Sequence, residues 1–135
     1  MGAWAEDAFG NDTACDWAGD FSDKPSMDKV TAAISAVVSE EGYLDSDLAV
    51  EALVACEIVA RLKGNWGQRS AYSESIDKWA ETSNEVAGAE LTANASAAIV
   101  RILADNSELK ELWDEEEINE DWHREMDDLA MRVAS

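Results

Sequence analysis

The chain of 135 residues carries 30 acidic residues against 10 basic ones, a formal net charge of −20 at pH 7, and 47% of its residues are apolar. This length fits one acidic helical domain, residues 1–135, and the apolar share excludes a disordered acidic tail. The charge excludes direct binding to nucleic acid or to an anionic membrane, and it favours partners with a basic surface. It is an equally good interpretation that the acidity only keeps the protein soluble in its surroundings.

The cellular compartment is indicated by what the sequence lacks. Residues 1–7 have neither the positive nor the apolar region of a signal peptide, and charged residues interrupt the longest apolar stretch. Cys15 and Cys56 are too far apart for a Cys-x-x-Cys pair and are typical of buried thiols in a reducing compartment. We therefore expect a cytoplasmic protein.

Helical periodicity runs along the whole chain. Apolar residues recur at spacings of three and four, preceded by polar residues that can cap a helix. Asn11 or Asp12 can cap a short first helix, and Ser26 can cap a second, which Gly42 stops. No stretch alternates clearly enough to predict a strand.

The third helix, over about residues 46–62, is the most informative. Its polar residues Asp47, Glu51, Glu57 and Arg61 fall within an arc of roughly 120°, so the other two thirds of its surface are apolar. A helix with this pattern is expected in the centre of a bundle, in contact with several neighbours.

The second half of the chain predicts further helices. A weak one begins at Ser73 or Ser75 and continues through Val86, and a stronger one follows. Ser107 caps a short helical turn, and Ile118 opens the apolar stripe of the last helix. The prediction is an all-α fold, a compact bundle of five to seven helices around the third. Its core is expected to be anchored by the tryptophans Trp4, Trp17, Trp66, Trp79, Trp113 and Trp122.

The opening residues MGAWAEDAFGNDTACDWAGDF resemble the start of a bacterial family, domain of unknown function 4259. The shared pattern is Met-Gly-Ala-Trp, then a Phe, an Asn-Asp pair and an Asp-Trp pair, and it continues at residues 42–45, 106–109 and 112–113. Ala5 departs from it, since the family usually has Gly there, which leaves only the local backbone in doubt. The resemblance implies a bacterial cytosolic protein and brings no activity with it.

The residues able to carry chemistry are few. His123 is the only histidine, and Glu120 and Asp127 share its helical face. A di-iron bundle uses this Glu-x-x-His spacing twice, and the sequence has it once, so a solvated helix face is favoured. Cys15 or Cys56 could pair with His123 as a nucleophile. Cys56 lies on an apolar arc, however, and the acidic helix around Cys15 would raise the pKa of that thiol.

The N-terminal aromatic and acidic residues have two interpretations. Asn11, Asp12 and Asp16 with Trp4, Phe9 and Trp17 could form a recognition patch. Alternatively, they cap the first helix and tie the terminus to the core. We favour the second interpretation.

With no catalytic residue and no cofactor indicated, the sequence favours a non-enzymatic domain that binds the basic surface of another protein. An inhibitor or immunity-type protein, or a mimic of nucleic acid, would act in this way. The residues predicted to contact the partner are Trp66, Asp114, Glu115, Glu116, Glu117, Glu120 and Trp122.

Two other functions stay open at this point. One is a small metal-binding protein or hydrolase that uses the face of Glu120, His123 and Asp127. The other is a member of a multiprotein assembly held by apolar contacts, in which the acidity is environmental.

Overall fold

The computed structural model describes residues 6–135, and within that range it is a bundle of helices without a strand. The all-α prediction is confirmed, and the helix count lies at the upper end of the expected range. Trp4 and Ala5, on which sequence expectations fell, lie outside the described residues. The helices are α1 (Asp12–Asp23), α2 (Met27–Val38), α3 (Ser46–Leu62), α4 (Glu74–Thr82), α5 (Ala89–Ile102), α6 (Glu108–Trp113) and α7 (Glu120–Ala134).

Helix α3 is the centre of the bundle and contacts each of the other six helices. Its start is set by Asp45, whose carboxylate accepts hydrogen bonds from the N–H groups of Asp47 and Leu48. Its end is followed by Gly64, whose φ of 85° favours a residue without a side chain. Every residue from position 52 to 61 is buried. The predicted central helix and its bounds are therefore confirmed.

The first two helices begin where the sequence predicts. The Asn11 side chain accepts a hydrogen bond from Ala14 N–H at 2.8 Å, which identifies the cap of α1 as Asn11 rather than Asp12. The Ser26 hydroxyl accepts one from Asp28 N–H at 3.2 Å and caps α2.

Two apolar residues predicted to lie on helical stripes fall outside the helices. Val86 is 79% exposed, because α4 ends at Thr82 and the next residue is already extended. Ile118 is 70% exposed, because Asn119 caps α7 by accepting the Trp122 N–H and so places residue 118 before the helix. The caps outweigh the apolar spacing at both positions.

Helix α6 is held against the start of α3 by backbone hydrogen bonds. Leu44 N–H donates to the carbonyl of Asn106 at 2.8 Å, and Glu108 N–H donates to the carbonyl of Leu44 at 3.0 Å. The guanidinium of Arg101 donates to the carbonyls of Glu40 and Gly42 and fixes the same loop. These contacts place α6 and the segment after it beside the N-terminal ends of α1 and α3.

Buried side chains from all seven helices join in one apolar cluster. Four of the six tryptophans take part as predicted: Trp122 is buried, and Trp17, Trp79 and Trp113 pack against the cluster. Trp113 stacks on Trp122 with ring centroids 6.2 Å apart. None of the helices between residues 6 and 135 has the length and apolarity that a membrane crossing requires.

Candidate functional site

The segment between α6 and α7, with the first turn of α7, forms an open, concave acidic surface with a volume of about 700 Å³. We call it the acidic basin, and its carboxylates are those of Glu115, Glu116, Glu117, Glu120 and Asp121. All five are exposed. Asp121 pairs with Arg124 of α7 at 2.9 Å, and no lysine, arginine or histidine from the described part of the chain lines the basin itself. Four of the seven residues predicted to contact a partner thus share one surface.

Asp114, a fifth predicted contact, holds this segment in shape. One of its carboxylate oxygens accepts the Asn119 N–H at 2.9 Å, and the other lies 2.8 Å from His123 Nε2. Burial would raise the pKa of Asp114, but the hydrogen bonds from Asn119 and His123 outweigh it and hold that pKa below its usual value. Asp114 closes the loop internally, so the acidic residues after it face solvent.

Three apolar residues also line the acidic basin. Leu112 and Trp113 are partly buried there, and Ile118 is 70% exposed among the glutamates. An exposed isoleucine inside a ring of carboxylates offers an apolar contact next to the charges. This combination resembles the anatomy of protein interfaces, in which an apolar patch is surrounded by polar groups.

The two tryptophans predicted as anchors do not lie on this surface. Trp122 is 1% exposed, because it faces the core on the inner side of α7, so it offers no side chain to a partner. Trp66 lies in the loop after α3, where the guanidinium of Arg61 is 5.6 Å and that of Arg69 is 4.4 Å from the ring centroid. Its indole is thus already occupied by two cations of the same chain.

The predicted face of Glu120, His123 and Asp127 is not assembled as a metal site. His123 Nε2 is engaged by Asp114, and its ring packs edge-on against Trp122. No group of three or more His, Cys, Asp or Glu side chains in residues 6–135 is placed to hold a metal ion.

Neither cysteine has the setting of a nucleophile. Cys56 is fully buried in α3, and burial strongly raises the pKa of its thiol. Burial, followed by the charges of Asp12 and Asp16, also raises the pKa of Cys15, which agrees with the expectation for an acidic helix. The Cys15 thiol donates to the carbonyl of Phe9.

The structure contains a buried network of ion pairs that the sequence did not predict. The side chain of Arg61 is fully buried. Its Nη1 lies 2.5 Å from Glu57 Oε1, and its Nε lies 2.6 Å from Asp77 Oδ1. Arg132 from α7 binds both oxygens of Glu57, at 2.8 and 3.0 Å, and also binds Asp128. The Glu57 and Arg61 positions, assigned to a polar arc, therefore face neighbouring helices rather than water.

The sequence held one signal for this network. Glu57 and Arg61 are four residues apart in a helix, the spacing at which a glutamate and an arginine meet. Their other partners, Asp77 and Arg132, lie on distant helices, and nothing local in the sequence points to them. We interpret the network as structural, since it ties α3, α4 and α7 together away from the acidic basin.

Fold and site together define a small, acidic, all-α domain whose most distinctive surface is the basin. The chain belongs to the family described as Domain of unknown function (DUF4259), whose family model matches residues 2–125. The resemblance noted in the sequence is thereby confirmed. No curated protein and no solved structure matches the chain.

Proposed function

We propose that this protein is a non-enzymatic domain that binds the basic surface of another protein through the acidic basin. The observation that carries the proposal is the basin itself: five exposed carboxylates on one concave surface with no cation among the described residues that line it. Opposite charges on a partner would speed association and fix its orientation.

The partner we propose carries lysine or arginine side chains around an apolar group. The positive groups would face the glutamates, and the apolar group would cover Ile118 and the edge of Trp113. Burial of that apolar contact would supply affinity that survives salt, while the charges supply recognition. A surface with these properties is expected of an inhibitor or immunity-type protein that covers the basic active face of a nuclease or toxin. It is equally expected of a nucleic-acid mimic.

We also propose that the protein acts in the bacterial cytoplasm. Its two cysteines are free, as expected in a reducing compartment, and the resemblance noted in the sequence is to a bacterial family. For the competing proposal of a metal site or hydrolase at His123, residues 6–135 offer no group of three or more His, Cys, Asp or Glu side chains placed to hold a metal ion.

The test is an affinity capture from lysate of the source organism with three forms of the tagged protein. The first is the wild type. The second neutralises the basin by Glu115→Gln, Glu116→Gln, Glu117→Gln and Glu120→Gln. The third, a matched control, removes the same number of charges from other elements by Asp20→Asn, Asp23→Asn, Glu41→Gln and Glu85→Gln, all at exposed positions.

The wild type and the control are expected to retain one basic protein in stoichiometric amount at low salt. The basin variant is expected to lose at least about 1.4 kcal/mol of binding, a factor of ten. Raising the salt from about 50 to about 500 mM should weaken capture by the wild type, since the charges are then screened. Equal capture by the basin variant and the wild type would refute the proposal.

A further inference from the structure

A second concavity adjoins the acidic basin and shares Leu112 and Trp113 with it. It lies between the start of α1, the start of α3, and the pair α6 and α7, and its cavity measures about 100 Å³. We call it the side cleft. Its two sides differ in chemistry, and this difference restricts what it can hold.

One side of the side cleft is acidic. It carries the carboxylates of Glu6, Asp7, Asp12 and Asp47, and none of these forms an ion pair with a lysine, arginine or histidine of the described residues. Only Asp47 accepts a side-chain hydrogen bond, from the Thr13 hydroxyl at 3.1 Å. Burial and the nearby Glu57 carboxylate raise the pKa of Asp7, a sign that negative charge is crowded here.

The adjacent helix ends do not neutralise this side. Helices α1 and α3 both begin at the cleft, and each helix N-terminus carries about half a positive charge. Their first N–H groups are already bonded to the caps Asn11 and Asp45. Four carboxylates outweigh two such half charges, so the side cleft favours a cation.

The other side of the side cleft is apolar. It is formed by Val50 of α3, Leu109 of α6, the rings of Trp113 and Trp122, and Met126 of α7. A hydrated metal ion or a bare ammonium gains nothing from such a wall. An occupant that uses both sides needs a cationic head and an aliphatic body.

The small volume of the cleft favours a slender body. An enclosed cavity of about 150 Å³ holds benzene, so the roughly 100 Å³ of this cleft suits a short chain of single atoms. The lysine side chain has four heavy atoms beyond Cβ: three methylene carbons and the ammonium nitrogen. The arginine side chain has six heavy atoms beyond Cβ and ends in a planar fork, which needs a wider space than an ammonium group.

We propose that the side cleft receives one lysine side chain of the basic partner. The methylene groups pack along Val50 and the Trp113 ring, and the ammonium group faces the carboxylates of Asp12 and Asp47. This inference rests on the proposed function, since the same partner that covers the acidic basin would insert the lysine next to it. It adds a requirement for lysine over arginine at the anchoring position.

The test uses a small probe and does not depend on finding the partner. The probe is Nα-acetyl-lysine N-methylamide, titrated into the full-length protein while the six indole N–H signals are followed by NMR. We expect the signals of Trp113 and Trp122 to shift with a dissociation constant on the order of 10 mM. The signals of Trp17 and Trp79, which do not line the cleft, should stay in place.

Two comparison probes test the chemistry. The norleucine analogue keeps the aliphatic body without the charge, and the arginine analogue keeps the charge in a larger group. Each is expected to bind at least tenfold more weakly than the lysine probe. Equal shifts with norleucine would overturn the proposed cation recognition, and equal shifts with arginine would overturn the selection by size.

Variants locate the binding. Val50→Phe fills the cleft and should abolish the shifts, with circular dichroism to verify that the helices remain. Asp12→Asn with Asp47→Asn leaves the volume intact and should weaken the lysine probe roughly fivefold. If both variants bind the probe like the wild type, the cleft is not the site and the inference is wrong.

The same probe separates this inference from the proposed function. The variant with the neutralised acidic basin should still bind the lysine probe, because the four substituted glutamates do not line the side cleft. If lysine does not shift the indole signals while the basin variant loses its partner, the proposed function stands and the lysine pocket is refuted. If lysine binds but the basin variant keeps its partner, only the proposed function is refuted.

Discussion

At the scale of single residues, the most consequential one is Arg61. Its side chain is fully buried, and it bridges Glu57 on its own helix and Asp77 on α4. Its guanidinium also lies 5.3 Å from the centre of the Phe9 ring. A charge in such a place is tolerated only because its hydrogen-bond donors are used, and removal of one partner leaves the others uncompensated.

We expect Arg61→Met to lower the free energy of unfolding by about 3–5 kcal/mol, because the carboxylates of Glu57 and Asp77 would lose their shared cation. Urea unfolding followed by circular dichroism measures this change. Lys78→Met is the control, since the Lys78–Glu74 pair is mostly exposed and its loss should leave the free energy of unfolding nearly unchanged. A cost for Arg61→Met no larger than the control would show that Arg132 alone suffices to compensate the network.

At the scale of elements, the connection between α6 and α7 depends on Asp114. This residue receives the Asn119 N–H and contacts His123 in the first turn of α7, while Asn119 caps that helix. The loop therefore has a defined shape although its outer residues are all acidic. The position of the acidic basin follows from this hydrogen-bond arrangement.

We expect Asp114→Asn to destabilise the protein by about 1–2 kcal/mol at pH 7, because charge-assisted hydrogen bonds are lost. The folded state lowers the pKa of Asp114, so its contribution is present above the unfolded pKa of about 4 and is lost as the pH falls through the folded value. Urea unfolding of both proteins across this pH range should show the difference vanish on acidification. Glu115→Gln, at an exposed position, should show no such difference. A difference that persisted below the folded pKa would assign the effect to packing.

At the scale of the whole molecule, nearly all of the formal charge of −20 lies on the outer surface, because the buried charges of Glu57, Asp77 and Arg61 almost cancel. Several cations are used internally: Arg61 and Arg132 bind Glu57, Lys63 donates to the carbonyl of Val133, and Arg101 donates to loop carbonyls. The remaining acidic residues repel one another across the surface. The same negative surface charge that would attract a basic partner therefore weakens the fold by self-repulsion.

We expect sodium chloride to stabilise the free protein. Raising it from about 50 to about 500 mM shortens the screening length severalfold and should raise the urea midpoint of unfolding. The variant with the neutralised acidic basin should respond less, since four of the repelling charges are gone. A midpoint that fell with salt would mean that attractive surface pairs outweigh the repulsion.

The sequence by itself determined the helices and the sign of the surface. Caps and apolar spacing placed α3 at Ser46–Leu62, because a capping side chain and a helical repeat act within a few residues of one another. The sequence also predicted Glu115, Glu116 and Glu117 as partner contacts, and the structure has all three exposed on one surface.

Only the tertiary structure decided which polar and aromatic residues face water. Glu57 and Arg132 are 75 positions apart, and the amphipathic pattern of one helix cannot show whether its charged arc meets solvent or an oppositely charged neighbour. Trp122 was predicted both as a core anchor and as a partner contact, and only the packing of α7 against α3 and α5 decided that it lies in the core. Local interactions set the elements, and contacts between elements distant in the chain set the site.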